Sequence, residues 1–167
     1  MIIFGIDPGT AITGFGVITV KGNSISWVDS GVIHTKTAQP LDERLETIYD
    51  GLVASMQRHS PDRVCIEEAF YGKNVRTTLV LGHARGVAML AARKFGATVA
   101  EYSPREIKKA VTGNGNAAKE QVAYMVKMLV SPPSHHDQTD AYDALAVALC
   151  DVQSGNRLEI QKKGTRG

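Results

Sequence analysis

The chain has 167 residues, of which 43% are hydrophobic, enough for a single domain with a buried core. Its 19 basic and 17 acidic residues give a net charge of +2, so overall charge alone does not indicate a nucleic-acid partner. The two cysteines lack the close spacing of a zinc or redox motif, no signal peptide is visible and no apolar stretch could span a membrane, so we expect a cytoplasmic protein.

Three strands are predicted at the start of the chain, over residues 2–7, 13–20 and 25–34. Short turns separate them, which favours an antiparallel meander. Apolar residues at helical spacing then predict a helix over residues 41–58, which ends before Pro61.

Helices and strands alternate through the rest of the chain. In order, the sequence predicts a strand over 64–67, a helix over 77–95, a strand over 97–102, a helix over 104–111, a helix capped by Asn116 and ending near 130, and a helix over 137–152. Residues 1–157 are expected to form one domain, followed by a basic, disordered tail over 158–167. A meander followed by this alternation predicts an α/β fold with a mixed five-stranded sheet and helices on both faces.

Carboxylates stand where two of the predicted strands end. Asp7 closes the first strand within Gly5-Ile6-Asp7-Pro8-Gly9, and Glu67 and Glu68 close the fourth. If these strands are neighbours, Asp7 and Glu67 lie together at their carboxyl ends, where open α/β sheets bind ligands. Strand alternation directs Glu68 to the opposite face. Burying unpaired carboxylates is costly, so a divalent metal ion is the favoured partner.

The last predicted helix supplies further carboxylates. Asp137, Asp140 and Asp143 recur every third residue before an apolar run, and residues three apart share a helix face. The simple alternative is charge that complements the dipole at a helix N-terminus. It accounts for Asp137 but not for Asp143, which lies beyond the first turn. The neighbouring His135 and His136 are expected to be solvated loop residues.

The segment after the fourth strand combines aromatic and polar or basic side chains. They are Phe70, Tyr71, Lys73, Asn74 and Arg76. Such a segment can stack on unpaired bases and neutralise phosphates, and the alternative is a turn whose aromatic rings cap the core. The Gly113-Asn114-Gly115-Asn116 segment either admits a phosphate at a helix N-terminus or forms a plain turn.

The long helix over 77–95 is apolar nearly all round. One face can cover the sheet, and the other needs a second partner. Gly82 and Gly86 would allow a second helix to approach closely, as in a twofold dimer. The alternative is a helix that is wholly internal to one chain.

The chain contains several distinct motifs in a fixed order. They are GIDPG at 5–9, TGFGV at 13–17, IEE at 66–68, LGHARGV at 81–87, IKKAVTGNGNAAKEQV at 107–122 and DAYDALAVAL at 140–149. Phosphate-binding loops of actin-like ATPases look similar to GIDPG alone, whereas the ordered set is specific. Over nearly its whole length the chain resembles the RuvC family of Holliday junction resolvases, which has a ribonuclease H-like fold.

The resemblance implies a dimeric, metal-dependent endonuclease that makes paired symmetric nicks in a four-way DNA junction during recombination and repair, leaving 5′-phosphate ends. It implies that Asp7, Glu67, Asp140 and Asp143 are the catalytic metal ligands. A site built only of carboxylates favours Mg²⁺, or Mn²⁺, and we expect two ions about 4 Å apart.

The resemblance also implies contacts and partners. It makes Phe70 a wedge at the junction centre and puts Lys108 and Lys119 near the scissile phosphate. From their residue types, Tyr71, Lys73 and Asn74 are expected beside Phe70 on the DNA. The helix that contains Gly82 and Gly86 becomes the dimer interface, and the RuvA and RuvB branch-migration complex becomes a partner. The alternatives are a ribonuclease H-like nuclease that acts on RNA, of the YqgF type, and a junction-binding or ATP-binding module that does not cut.

Overall fold

A computed structural model describes residues 1–68, 75–133 and 138–164, with side chains described as far as residue 155. The elements in chain order are β1 (Ile2–Asp7), β2 (Ile12–Lys21), β3 (Ser24–His34), α1 (Leu41–His59), β4 (Arg63–Glu67), α2 (Val75–Phe95), β5 (Thr98–Tyr102), α3 (Pro104–Thr112), α4 (Lys119–Val130) and α5 (Thr139–Gly164). None of these helices has the length and apolarity needed to cross a membrane within the described part of the chain.

Two helix ends differ from the sequence prediction. The predicted cap at Asn116 was wrong, because α4 has Ala118 at its N-cap and Asn116 lies in a turn, where its N–H donates to the Asn114 side chain at 3.0 Å. The last helix was predicted to end at residue 152, whereas α5 continues to Gly164. It therefore extends through most of the segment for which the sequence predicts a disordered tail.

The strands form one five-stranded sheet in the order β3-β2-β1-β4-β5. β2 runs antiparallel to β1 and β3, which confirms the predicted meander. β4 runs parallel to both β1 and β5. The expected pairing of the first and fourth strands is therefore confirmed, and their carboxyl ends meet at one edge of the sheet.

Helices cover both faces of the sheet, and each face has its own hydrophobic core. Ile3 of β1 packs in the core beneath α3, α4 and α5. The neighbouring Phe4 and Ile6 pack in the core beneath α1 and α2. Because successive strand residues point to opposite faces, the alternation that places Ile3 under α5 also turns Asp7 toward that helix.

α5 lies directly against the backbone of the two central antiparallel strands. A Cβ atom on Gly5 would overlap the carbonyl oxygen of Ala144, and one on Gly14 would overlap that of Asp140. Larger residues on β1 and β2 would therefore push the helix away from the sheet. The glycines bring the first two turns of α5 close to the end of β1.

α2 buries only one of its faces. Ala84, Ala88 and Ala91 pack toward the sheet, whereas the side chains of Leu79 and Leu90 are 62% and 54% exposed. The alternative of a wholly internal helix was therefore wrong. Gly82 and Gly86 lie on the outer face, where an added Cβ would meet no described atom within 4 Å.

Candidate active site

Three elements bring carboxylates together at one edge of the sheet. Asp7 ends β1, Glu67 ends the adjacent β4, and α5 contributes Asp143 from the helix that covers both strands. These three side chains line one cavity of about 150 Å³ together with Lys108 and Lys119. Five of the site residues expected from the sequence therefore share one cavity, although they are up to 136 positions apart in the chain.

The two carboxyl groups at the strand ends are half-buried and have raised pKa values. Burial, followed by the negative charges of Asp143 and Asp140, raises the pKa of Asp7 from 3.8 to about 6. Burial and the charge of Asp7 raise the pKa of Glu67 from 4.5 to about 8. A hydrogen bond joins the two, with the protonated Glu67 donating to Asp7. The site thus has more negative charge than its own lysines neutralise.

Lys119 supplies part of the missing positive charge. Its Nζ donates to Oδ2 of Asp143 at 2.9 Å, although 69% of the lysine side chain is exposed. This hydrogen bond is the main cause that raises the pKa of Lys119. A cation on the first residue of a helix is opposed by the helix dipole, so the acidic cavity rather than α4 accounts for the position of this lysine.

Asp140 and Glu68 occupy different positions from the cavity carboxylates. Asp140 lies one turn before Asp143 on α5, outside the cavity lining but near enough for its charge to raise the pKa of Asp7. Glu68 is exposed, and its backbone N–H donates to the carbonyl of Tyr102 at 2.9 Å. Asp140, and not Glu68, therefore lies near the carboxylates of the acidic cavity.

The chemistry of the donor set fits a hard divalent cation. Oxygen ligands from carboxylates suit Mg²⁺ and Mn²⁺, and a cation among them would relieve the repulsion that raises the pKa values of Asp7 and Glu67. Within the described ranges, no three acidic, histidine or cysteine side chains already converge closely enough to hold an ion. Asp143 is turned to Lys119 instead, so ion binding requires side-chain rotation.

Some residues expected at the site lie outside the described residues. These are Phe70, Tyr71, Lys73 and Asn74, together with His135, His136 and Asp137. The roles assigned to them from the sequence stay predictions. Arg76 is described and is exposed in the first turn of α2.

A network that the sequence analysis missed holds the loop after Asp7. Nη2 of Arg44 donates to the carbonyl of Thr10 at 2.6 Å, and its Nε donates to the hydroxyl of Thr35 at 3.2 Å. The hydroxyl of the buried Thr13 donates to the carbonyl of Gly9 at 2.6 Å. An arginine within a helix pattern gives no sequence signal for such a role, because its partners are a backbone carbonyl and a hydroxyl that are distant in the sequence.

A second missed network lies under α5. Oδ1 of the buried Asp151 accepts from Nη2 of Arg63 at 2.6 Å and from the hydroxyl of Tyr102 at 2.7 Å. It links α5 to β4 and β5 on the face of the sheet that contains the acidic cavity.

Comparisons with known proteins place the chain in one family. The sequence profile of the family "Crossover junction endodeoxyribonuclease RuvC" matches residues 3–151. A protein of that name from Desulforamulus reducens is 49% identical over 153 residues, 92% of this chain and 94% of the relative. Another from Syntrophotalea carbinolica is 52% identical over 150 residues, which are 90% of this chain and 92% of the relative.

A solved structure shares the fold. The structure of T. thermophilus RuvC in complex with Holliday junction substrate superposes with a TM-score of 0.86 at 33% identity, and the match covers 93% of this chain and 94% of that one. The ribonuclease H-like fold expected from the sequence is thereby confirmed. The chain belongs to the RuvC family of crossover junction endodeoxyribonucleases.

Proposed function

We propose that this protein is an endonuclease that resolves Holliday junctions, with a divalent metal ion held by Asp7, Glu67, Asp140 and Asp143. The observation that carries the proposal is the convergence of carboxylates from β1, β4 and α5 on one cavity with two lysines. Membership of a family of junction endonucleases over nearly the whole chain supports the substrate and does not favour an RNA-acting alternative.

The four carboxylates are the groups that would hold the metal, as Mg²⁺ or Mn²⁺, and we propose two ions. When bound, such ions activate water and stabilise the oxygen that leaves the phosphate. The pKa of Glu67, near 8, means that this carboxyl holds a proton in the metal-free protein at neutral pH. Metal binding therefore has to release that proton, which makes metal affinity rise with pH.

Lys108 and Lys119 would bind the phosphate that is cut. Both line the acidic cavity, and the exposed Lys119 side chain can turn from Asp143 to an incoming phosphate oxygen. Their positive charges balance the charge that the DNA backbone brings to the carboxylates. Phe70, Tyr71, Lys73 and Asn74 follow Glu67 in the chain and are proposed to contact the junction centre.

The outer face of α2 is proposed to form a homodimer. Leu79 and Leu90 expose apolar side chains there, and Gly82 and Gly86 leave room for a second helix. A dimer supplies the two active sites that paired nicks require. The RuvA and RuvB complex as a partner and a cytoplasmic location stay predictions from the sequence.

The proposal is tested by comparing three substrates with Mg²⁺ and without a nucleotide. A mobile four-way junction should be cut into nicked duplexes with 5′-phosphate ends, while linear duplex and structured RNA stay intact. Preferential cutting of the RNA would favour the YqgF-type alternative. Binding of the junction without any cutting would favour the non-cleaving module.

A further inference from the structure

The network beneath α5 connects the helix that carries Asp143 with the strand that carries Glu67. Arg63 and Glu67 stand at the two ends of β4, four residues apart, so their side chains leave the same face of the sheet. Arg63 binds Asp151, and Glu67 lines the cavity with Asp143. β4 and α5 are therefore hydrogen-bonded at Asp151 and lie side by side again at the acidic cavity.

Asp151 is the buried centre of this network. Its side chain is 2% exposed, and both hydrogen bonds that its Oδ1 accepts are short. The Nε atom of Arg63 is also buried, and it has no hydrogen-bond partner among the described residues. Loss of the Asp151 charge would leave the Arg63 guanidinium without its nearest counter-ion, so the arginine and the helix would have to rearrange together.

The contact between α5 and the glycines of the sheet fixes the helix less completely. Gly5 and Gly14 permit a close approach of the helix, but van der Waals contact of this kind has no preferred direction. Hydrogen bonds are directional, and those to Asp151 come from two strands. Asp151 follows Asp143 by eight residues, about 12 Å along a rigid helix, so a shift at Asp151 reaches the carboxylates at the other end.

We propose that Asp151, held by Arg63 and Tyr102, is a positioning residue that sets where α5 presents Asp140 and Asp143 to the metal. This inference rests on the proposed function, because it concerns the geometry of the same metal site. Partners that orient metal ligands change metal affinity or activity by about 10- to 100-fold when they are mutated. A displacement of about 1 Å is enough for effects of that size.

The test measures Mn²⁺ binding by electron paramagnetic resonance, without DNA, at a temperature where circular dichroism shows each variant to be folded. Asp151→Asn keeps the side-chain volume and removes the charge, and we expect Mn²⁺ to bind roughly 10-fold more weakly. Tyr102→Phe removes one of the two hydrogen bonds and should weaken Mn²⁺ binding by a smaller factor. The matched control is Asp29→Asn, which removes a carboxylate that pairs with Arg58 and His59 between β3 and α1. Its Mn²⁺ affinity should equal that of the parent.

A folded Asp151→Asn protein that binds Mn²⁺ within about twofold of the parent would overturn the inference, since the loss of a partner that orients metal ligands has a larger effect. If that variant does not fold, Tyr102→Phe decides: unchanged Mn²⁺ binding overturns the inference, and weakened binding supports it. Asp7→Asn separates this inference from the proposed function. If Asp7→Asn binds Mn²⁺ as well as the parent does, both the proposed metal site and this inference are wrong. If Asp7→Asn binds Mn²⁺ more weakly while Asp151→Asn binds it normally, only the inference is wrong.

Discussion

The two faces of the sheet are both covered by helices, yet they carry different residues. Beneath α5, glycines of β1 and β2 contact the helix backbone, Asp151 is buried, and the half-buried Asp7 lines the acidic cavity. Beneath α1 and α2, the core consists of large apolar residues and alanines, including Phe4 stacked on Phe15 at 5.7 Å. Buried charge and close backbone contact are thus concentrated on the face that holds the acidic cavity.

The two faces of this small sheet therefore have separate roles. One face positions carboxylates, and its glycines bring the helix that carries two of them close. The other face contacts α2, whose outer surface exposes Leu79, Leu90 and two glycines and is the proposed dimer interface.

Removing a carboxylate at the strand end should have the largest effect. Asp7→Asn removes a proposed metal ligand without changing the shape of the side chain. Cleavage should fall by more than about 100-fold, because loss of a residue that merely orients a ligand already costs up to that much. Glu67→Gln and Asp143→Asn should behave alike, and Glu68→Gln is the matched control that keeps most activity. Junction binding in Ca²⁺, measured by gel shift, should persist. Equal loss of binding would show that Asp7 holds the fold or the DNA instead.

Alanine substitutions at two glycines should separate the faces by stability. Gly14→Ala places a methyl group against the Asp140 carbonyl and should lower the free energy of unfolding by about 1–3 kcal/mol or more. Gly86→Ala faces open space within the chain and should raise helix stability by up to about 1 kcal/mol. Urea denaturation measures both. A stable Gly14→Ala protein with full activity would contradict the close helix–sheet contact.

A large residue on the outer face of α2 should disrupt association rather than folding. Gly86→Leu has room within one chain but obstructs a second helix, so sedimentation should report a folded monomer. The monomer should nick junctions without making paired cuts in one binding event, because it has one active site. If Gly86→Leu stays dimeric, the interface lies elsewhere. A folded monomer that makes simultaneous paired cuts would contradict the dimer mechanism.

The raised pKa values predict how the stability of the metal-free protein depends on pH. The folded state binds more protons than the unfolded state wherever the pKa values of Asp7 and Glu67 exceed their ordinary values, from near pH 4 to about 8. Stability contributed by these groups should therefore fall as pH rises through this window. Urea midpoints at pH 5 and pH 8 in a chelator should show the fall, and the Asp7→Asn, Glu67→Gln double variant should show less of it. If the urea midpoint of the parent rises with pH while that of the double variant does not, the raised pKa values assigned to Asp7 and Glu67 are wrong.

Sequence patterns predicted the sheet and much of the cavity, because strand ends and helix spacing are local features. Asp7 and Glu67 follow apolar strands, and pairing of these strands follows from the order of the elements. Contacts between distant residues gave no such signal. Asp151 and Arg63 are 88 positions apart, and neither differs in sequence from a solvated surface charge.

The errors also have physical causes. Asn116 resembles a helix cap, but the nearby Asn114 side chain holds its N–H in a turn and moves the start of α4 to Lys119. The predicted end of α5 followed the apolar run, whereas the helix continues as far as Gly164. Apolar periodicity reports burial, so it does not indicate where a helix ends beyond the core.

The most direct test of the central claim is to locate the metal by anomalous scattering from Mn²⁺ in crystals of the protein with a four-way junction. We expect Mn²⁺ peaks at ligating distance from Asp7 and Glu67 and from the carboxylates of α5, with Lys119 moved from Asp143 to a phosphate oxygen. A cavity without Mn²⁺ in which Lys119 still pairs with Asp143, or Mn²⁺ bound only elsewhere, would contradict it.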